Sequence, residues 1–514
     1  MTHTMHTFDR YVDVLSALAD PALVPELPTA GDGPVGASIG WLRATVCRFS
    51  SGESHRRRRA VVEAELARLE PAALWQAAAV GRAGELRTRV VRSLAQALGM
   101  PAPGAVAEAV IVVAGAYLGG ADAGADAAVA QLVRQLAPEP ADDAALEVVA
   151  NRIGLLVQAC EATAALVEAA ADCGDRPLAR VLREHPPART MRRIAVRATE
   201  LAGRGIAEGD VVLLDLATAQ LTHPVPLAFG APPRVCPGRA HALALAGGLL
   251  QRPLTPFARL HDQAAAPLLL PNAWDYASAA ALAAQGFAAI GTTSLGVAAA
   301  AGLPDGSAVT AEATLALSRR LAQGSFLFTV DAEGGFSDDP KEVAELARAL
   351  YDAGAAGVNL EDGRPDGTLA PAELHAAKIA AVKAAVPALF VNARTDTHWW
   401  GRQQEQTATR LAIYEQAGAD GVFVPGLSDP DKIAELTATL LVPLNILYTP
   451  AGPALRELAA LGVRRVSLGS LLYRRALETA VATATAIRDG QSADLTAPSY
   501  AEVQQLATAR RGPR

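Results

Sequence analysis

Cysteine is scarce. The 514 residues hold four, Cys47, Cys160, Cys173 and Cys236, scattered along the chain and without a CxxC pair. That excludes a disulfide scaffold and a cysteine-based zinc module, and it accords with a reducing cytoplasm. Basic charge is also in deficit: 46 Lys and Arg face 53 Asp and Glu, a net charge of −7. No electrostatic case for a nucleic-acid partner follows. The first residues, MTHTMHTFDRYVD, lack the basic and apolar regions of a signal peptide, so a cytoplasmic location is expected. Long apolar runs are missing as well. The most apolar stretch, 106–118, carries Glu108 and is too short to span a bilayer, which predicts a core helix and no membrane partner.

What is present is ample core material, 51% hydrophobic against 19% charged residues. The length suits two or three domains at roughly 150 residues each, or one barrel plus a partner domain. The texture changes near residue 253. Residues 1–252 are rich in Ala, Leu and Arg with helical periodicity, and strand-like runs occur only at 194–196 and 209–217. Residues 253–514 alternate strands with helices. Candidate strands are 267–270, 288–292, 326–330, 357–360, 388–392, 421–424, 443–447 and 465–468, separated by helical patterns such as 340–353 and 371–385. Eight such units in about 235 residues is the arithmetic of a (β/α)8 TIM barrel. The expected fold is therefore a mainly α-helical domain, 1–252, followed by an α/β barrel, 253–514.

The stretch FLFTVDAEGGF, 326–336, carries the most chemistry. A mostly apolar run bounded by glycine reads as a buried parallel strand. Carboxylates two apart share a strand face, so Asp331 and Glu333 would lie together at its C-terminal end. Like charges so close repel unless a cation or a shared proton lies between them, and hard carboxylate oxygens suit Mg²⁺ completed by water and substrate. A pair that only caps or orders a loop is the alternative. Active sites of such barrels lie at the C-terminal strand ends. There the sequence places Asn272, Trp274 and Asp275 after the first strand, and Thr292, Thr293 and Ser294 after the second. Glu361 and Asp362 follow the fourth strand, and Arg394 and Asp396 the fifth.

These residues resemble the isocitrate lyase/phosphoenolpyruvate mutase superfamily over roughly 260–490, through LPNAWDYASA, IGTTSLGVAAAAGLPDG, VDAEGGF, AAGVNLEDG, VNARTD and YEQAGADGVFVPG. The resemblance implies that Asp331, Glu333 and Glu361 hold Mg²⁺, largely through water. Asp305 would lie near metal and substrate, and the Thr293–Ser294–Leu295 loop would offer N–H groups to a substrate carboxylate. Arg394 would pair with anionic groups of the substrate, and Asp331 would face it. Glu361, Asp305 and Arg394 would carry the reaction. After the fourth strand the lyases of the family carry a Lys-x-Cys-Gly loop; here 361–367 reads EDGRPDG, with Arg364 as its cation, and the second half has no cysteine. The implied activity is Mg²⁺-dependent C–C cleavage of a small 2-oxo or 2-hydroxy carboxylic acid through an enolate. A C–P mutase or hydrolase is the alternative. Such a barrel is expected to form a homo-oligomer.

In the first half, a Pro/Gly-rich loop presents Cys236 just before an alanine-rich helix beginning near Gly238, which makes it a candidate thiolate. The loop resembles the haem-binding loop of the cytochrome P-450 monooxygenases, Phe-Gly-x-x-x-Arg-x-Cys-x-Gly, at Phe229, Gly230, Arg234, Cys236 and Gly238. His55 and Arg59 lie at i and i+4 beside Arg56, Arg57 and Arg58, a run that read alone is a solvated helix face. By resemblance His55, Arg59, Arg193 and Arg234 would hold haem b, with Cys236 on the iron. The family's Glu-x-x-Arg appears as Arg180-Val-Leu-Arg183, and its oxygen-activating acid–Thr pair as Glu161-Ala162. The resemblance thus implies a truncated relative, and a haem-binding, monooxygenase-like protein is the further alternative.

Overall fold

Residues 3–26, 33–80, 84–119, 123–138, 141–174, 176–251, 255–261, 266–491 and 497–508 are described by the computed structural model. The chain divides into two units, Met1–Pro253 and Leu254–Arg514.

Unit 1 is built around the 30-residue helix Asp143–Asp172, whose first turn is capped by Asp142 accepting from the Ala145 N–H. Helices Gly52–Ala67, Leu86–Ala97 and Pro103–Tyr117 pack on it. Pro103–Tyr117 is the expected core helix and buries Val106, Val110 and Val113. Asp143–Asp172 is a longer, mainly apolar helix whose apolar residues are interrupted by charged ones in the sequence. By length and composition it could cross a membrane, yet 56% of its most apolar window is buried inside the protein. Beside the helices lies a four-stranded sheet ordered Met5–Phe8, Val211–Asp215, Thr190–Ala195, Leu23–Val24. The strand-like run expected over 209–217 stops at Asp215, because that side chain accepts from the Thr218 N–H and caps the helix Leu216–Leu221.

Unit 2 is a parallel barrel. Its first strand is broken at Pro271 into Leu268–Leu270 and Asn272–Ala273. The first piece pairs with the eighth strand, Arg465–Ser467, and the second with the second strand, Ala289–Thr292, which closes the ring. A proline has no N–H for the ladder, so the break falls where pairing switches sides. The third to seventh strands are Leu327–Asp331, Gly357–Glu361, Phe390–Arg394, Gly421–Val424 and Leu444–Leu447. Alternation sorts the side chains. Val330, Val358, Val391, Val422, Ile446 and Val466 join the apolar core shared with the surrounding helices. The opposite set turns inward: Asn392 Nδ2 and Arg465 NH2 reach the same Asn359 Oδ1 at 2.9 and 3.1 Å. The helix Pro256–Arg259 brings Phe257 edge-on to Phe390, at the start of the fifth strand, and His261 stacks on that ring at 4.5 Å.

Candidate active site

The third strand ends at Asp331, so the expectation that Asp331 and Glu333 share one strand face does not hold. Glu333 lies in the following turn with φ +47°, a left-handed conformation that non-glycine residues rarely adopt. It is held there from outside the strand: Thr310 Oγ1 donates to Glu333 Oε1 at 2.5 Å and the Ala308 N–H to Oε2 at 3.2 Å. Burial pushes its carboxyl up, and these two donors oppose the rise. Thr310 had no signal in the sequence, since a single threonine before a helix reads as a cap.

Asp331 faces the second strand's end. Its N–H donates to Thr292 Oγ1 at 2.9 Å, and its Oδ2 accepts from the Ser294 N–H at 3.3 Å. Of the Thr293–Ser294–Leu295 loop, expected to serve a substrate carboxylate, the Ser294 amide is thus turned to Asp331. Asp331 Oδ1 is buried without a protein partner. Asp305 lies in the loop after helix Ser294–Ala301 and reaches solvent. Even so, the surrounding protein and then the Asp331 charge raise its carboxyl, against a hydrogen bond from Ser294 and the charge of Arg394.

Glu361 and Arg394 end the fourth and fifth strands and are register partners. Arg394 NH1 lies 2.7 Å from Glu361 Oε2, while its Nε and NH2 donate to Asp396 at 2.6 and 3.1 Å. Burial drives the Glu361 and Asp396 carboxyls up, with Arg394 opposing the rise in both. Burial also works against charge on Arg394, but Asp396, Glu361 and Asp331 outweigh it and its pKa is raised. The guanidinium is a fixed cation among carboxylates, its carbon over the Phe423 ring at 5.7 Å from the centroid.

Burial and, further, the charge of Asp331 thus raise the carboxyls of Asp305, Glu333 and Glu361. An unpaired buried carboxylate oxygen in that setting fits a divalent cation. Among the described residues no three His, Cys, Asp or Glu side chains stand close enough to ligate one ion together. Hard carboxylate oxygens of this kind suit a hydrated Mg²⁺, which keeps several of its waters.

Other residues at the strand ends bond or pack within the protein. Asp275 caps helix Tyr276–Ala284 in a capping box with Ser278. Trp274 packs edge-on against Tyr473 at 5.2 Å. Asn272 ties Thr292 O to the Leu468 N–H at 2.7 and 3.0 Å. Arg364 pairs with Asp338 at 2.8 Å, and Asp338 is also held by the buried Lys378, which bonds Gly334 O just past Glu333. Asp362, expected with Glu361 at this strand end, is buried, and Lys378 had no signal in the sequence.

Residues 257–488 match the phosphoenolpyruvate phosphomutase family. An uncharacterised protein of Mycobacterium tuberculosis is 45% identical over 250 residues, 48% of this chain and 94% of that one. An oxaloacetate decarboxylase of Ectopseudomonas mendocina is 32% identical over 212 residues, 38% of this chain and 71% of that protein. The chain belongs to the phosphoenolpyruvate phosphomutase family. Members of this family include decarboxylases and lyases, and the protein is an enzyme. The crystal structure of phosphonopyruvate hydrolase with oxalate and Mg²⁺ matches at 25% identity with a TM-score of 0.44, over 49% of this chain and 93% of that one.

Nothing in these comparisons supports the cytochrome P-450 likeness expected of unit 1, nor haem or iron there. The residues expected to hold haem do come together. Arg59 donates to Glu63 and to Val235 O at 2.6 Å each, and Arg234 forks onto Ser50 O at 3.1 Å. Burial, then Arg234 and Arg59, lower His55 to about 4. Buried Arg193 falls to about 10 through burial, Arg234 and Arg48. Arg57 and Arg58 pair with Glu147 and Arg59 with Glu63, so these three arginines find anions within the chain. The expectation of a Cys236 thiolate is corrected. Cys236 reaches solvent as a residue, yet the packed surroundings of its thiol push its pKa up. A Gly238 N–H and the charges of Arg59, Arg239 and Arg48 offset that only in part.

Proposed function

We propose that the barrel is a Mg²⁺-dependent lyase that cleaves a C–C bond of a small 2-oxo or 2-hydroxy carboxylic acid. The observation that carries this reading is the arrangement of Arg394, held by Glu361 and Asp396, opposite the unpaired Asp331 oxygen. A substrate carboxylate is attracted to the guanidinium, whose remaining N–H groups offer charge-assisted bonds. Mg²⁺, when bound, supplies stabilisation of negative charge developing on the substrate oxygens as an enolate forms. Asp331 would orient the hydrated ion, and Glu333, fixed by Thr310 and Ala308, would accept from its waters. Asp305, solvent-accessible with a raised carboxyl, would hold or release a proton at the mouth. C–C rather than C–P cleavage is supported by the 32% identity to an oxaloacetate decarboxylase.

A panel of 2-oxo and 2-hydroxy acids, assayed with and without Mg²⁺, tests the reading. Metal-dependent release of a C–C cleavage product is expected. Turnover only of phosphonates would favour the C–P alternative. The haem-binding reading of unit 1 is not favoured.

Self-association through the barrel belongs to the same proposal. It is supported by helix Leu471–Arg488, which follows the eighth strand and buries none of its residues. A reducing compartment is supported by four unpaired cysteines.

A further inference from the structure

Asp362 has no solvent exposure, and it collects more hydrogen bonds than any acid lining the mouth. Its Oδ1 accepts from the Asp396 N–H at 2.9 Å. Its Oδ2 accepts from Thr395 Oγ1 at 2.8 Å, Tyr414 OH at 2.6 Å and Arg410 NH1 at 3.1 Å. The Asp362 N–H in turn donates to Arg394 O at 3.1 Å. All three residues of the fifth strand's end, 394 to 396, are therefore bonded to this one acid, although it does not touch the Arg394 guanidinium.

Its neighbours in sequence complete the grip. Glu361 pairs with the guanidinium itself. At Gly363 a Cβ would stand 2.1 Å from Asp396 Oδ2, so a larger residue would drive away the carboxylate that holds Arg394 Nε and NH2. Three consecutive residues thus set the guanidinium's partner, the backbone carrying it and the space for its second partner. Arg410 ties the assembly to helix Thr407–Ala417, with further bonds to Ala370 O at 2.9 Å and Gln403 Oε1 at 3.0 Å.

We propose that Asp362 is a positioning residue for Arg394, fixing the guanidinium where an anionic substrate meets it. This rests on the reading of Arg394 as the substrate's cationic partner. A binding group must be held to about 0.5 Å, and a 1 Å misplacement from outside the site costs up to roughly a hundredfold. Burial excludes direct contact between Asp362 and substrate, so its effect runs through residues 394–396.

Asp362→Asn in the full chain is the test. Whichever way the amide turns, its NH₂ faces either the Asp396 N–H or the three donors on Oδ2. Two measurements follow: a crystal structure of the variant, and calorimetric titration of oxalate in the presence of Mg²⁺. The expected result is an Arg394 guanidinium displaced from Glu361 and oxalate affinity weakened roughly ten- to a hundredfold. A guanidinium still held by both Glu361 and Asp396, with unchanged affinity, overturns the proposal even if the melting temperature falls. If the natural protein binds no oxalate with Mg²⁺, the substrate reading fails, and the variant's crystal structure alone decides the role of Asp362. Should the variant not fold, Thr395→Val removes only the hydroxyl donated to Asp362. The same two measurements then decide, with about threefold weakening and a displaced guanidinium expected.

Discussion

Arg394 NH1 lies 2.7 Å from Glu361 Oε2 across the ends of two neighbouring barrel strands, and this pair sets a cation beside the site's carboxylates. It joins the carboxylate side, Asp331 and Glu333, to the cationic side. Arg394→Lys keeps a charge but loses the fork that spans Glu361 and Asp396. Loss of a buried charge-assisted contact to substrate is worth roughly 2–4 kcal/mol, so kcat/KM should fall about 30- to 1000-fold. The melting temperature should fall too, because two carboxylates lose bonds. Normal turnover by a destabilised but folded variant would make Arg394 structural only.

Asp331→Ala tests the metal reading. The residue sits where strand pairing ends, bonded to Thr292 and Ser294. Its removal relieves repulsion with Glu333, Glu361 and Asp305, so the fold should survive. Mg²⁺-dependent turnover should vanish at all Mg²⁺ concentrations tested. Activity restored by raising Mg²⁺ alone would place the ion elsewhere.

Much of the barrel was legible because a parallel strand buried on both faces leaves a short apolar run between turn residues. Gly421–Val424 was read to the residue, six others to within two, and the first strand three residues short at its C-terminal end. The break at Pro271 was not, since the period of a strand carries no sign that its two ends pair with different neighbours. Asp331, Glu361 and Arg394 were found because each directly ends a strand. Glu333 was placed by a rule that fails there: its backbone has already left the strand for a positive φ, and Thr310, 23 residues away, decides where the carboxylate points. Cys236 shows the same limit. Its position before a helix argues for a thiolate, but packing density around a sulfur is a tertiary property.

Buried histidine gives a pH test. His261 is 2% exposed, stacked on Phe390, with Nδ1 3.1 Å from Phe257 O. Burial, then the Arg465 charge, lower its pKa to about 3. The unfolded chain takes up that proton near its ordinary pKa of about 6.5, so the neutral form's stability is present above that value and is lost as pH falls toward 3. From pH 7 to 5 this one group should cost about 2 kcal/mol of stability. Raised carboxyls such as Glu361 act in the opposite sense, so the comparison must be with His261→Leu. Denaturation of both proteins at each pH should show the natural protein losing ground to the variant as pH falls. Parallel curves would mean that His261 is not held neutral.

The exposed helix Leu471–Arg488 yields the last prediction. A surface helix of a globular protein hides its apolar stripe, as Pro340–Asp352 does by burying Val343, Ala344, Ala347 and Leu350. Leu471–Arg488 does not: Leu477, Val481 and Ile487 are 48%, 66% and 60% exposed along its length. Covering three such side chains is worth a few kcal/mol, at about 25 cal/mol per Å² of apolar surface removed from water. A second copy of the chain carries the same helix and can cover both at once by symmetry. Light scattering at micromolar concentration should therefore report at least a dimer. Val481→Asp should shift the mass toward the monomer, since a carboxylate placed there would be buried without a partner. A wild-type protein that stays monomeric across the concentration range would leave the helix without a partner and remove self-association from the proposal.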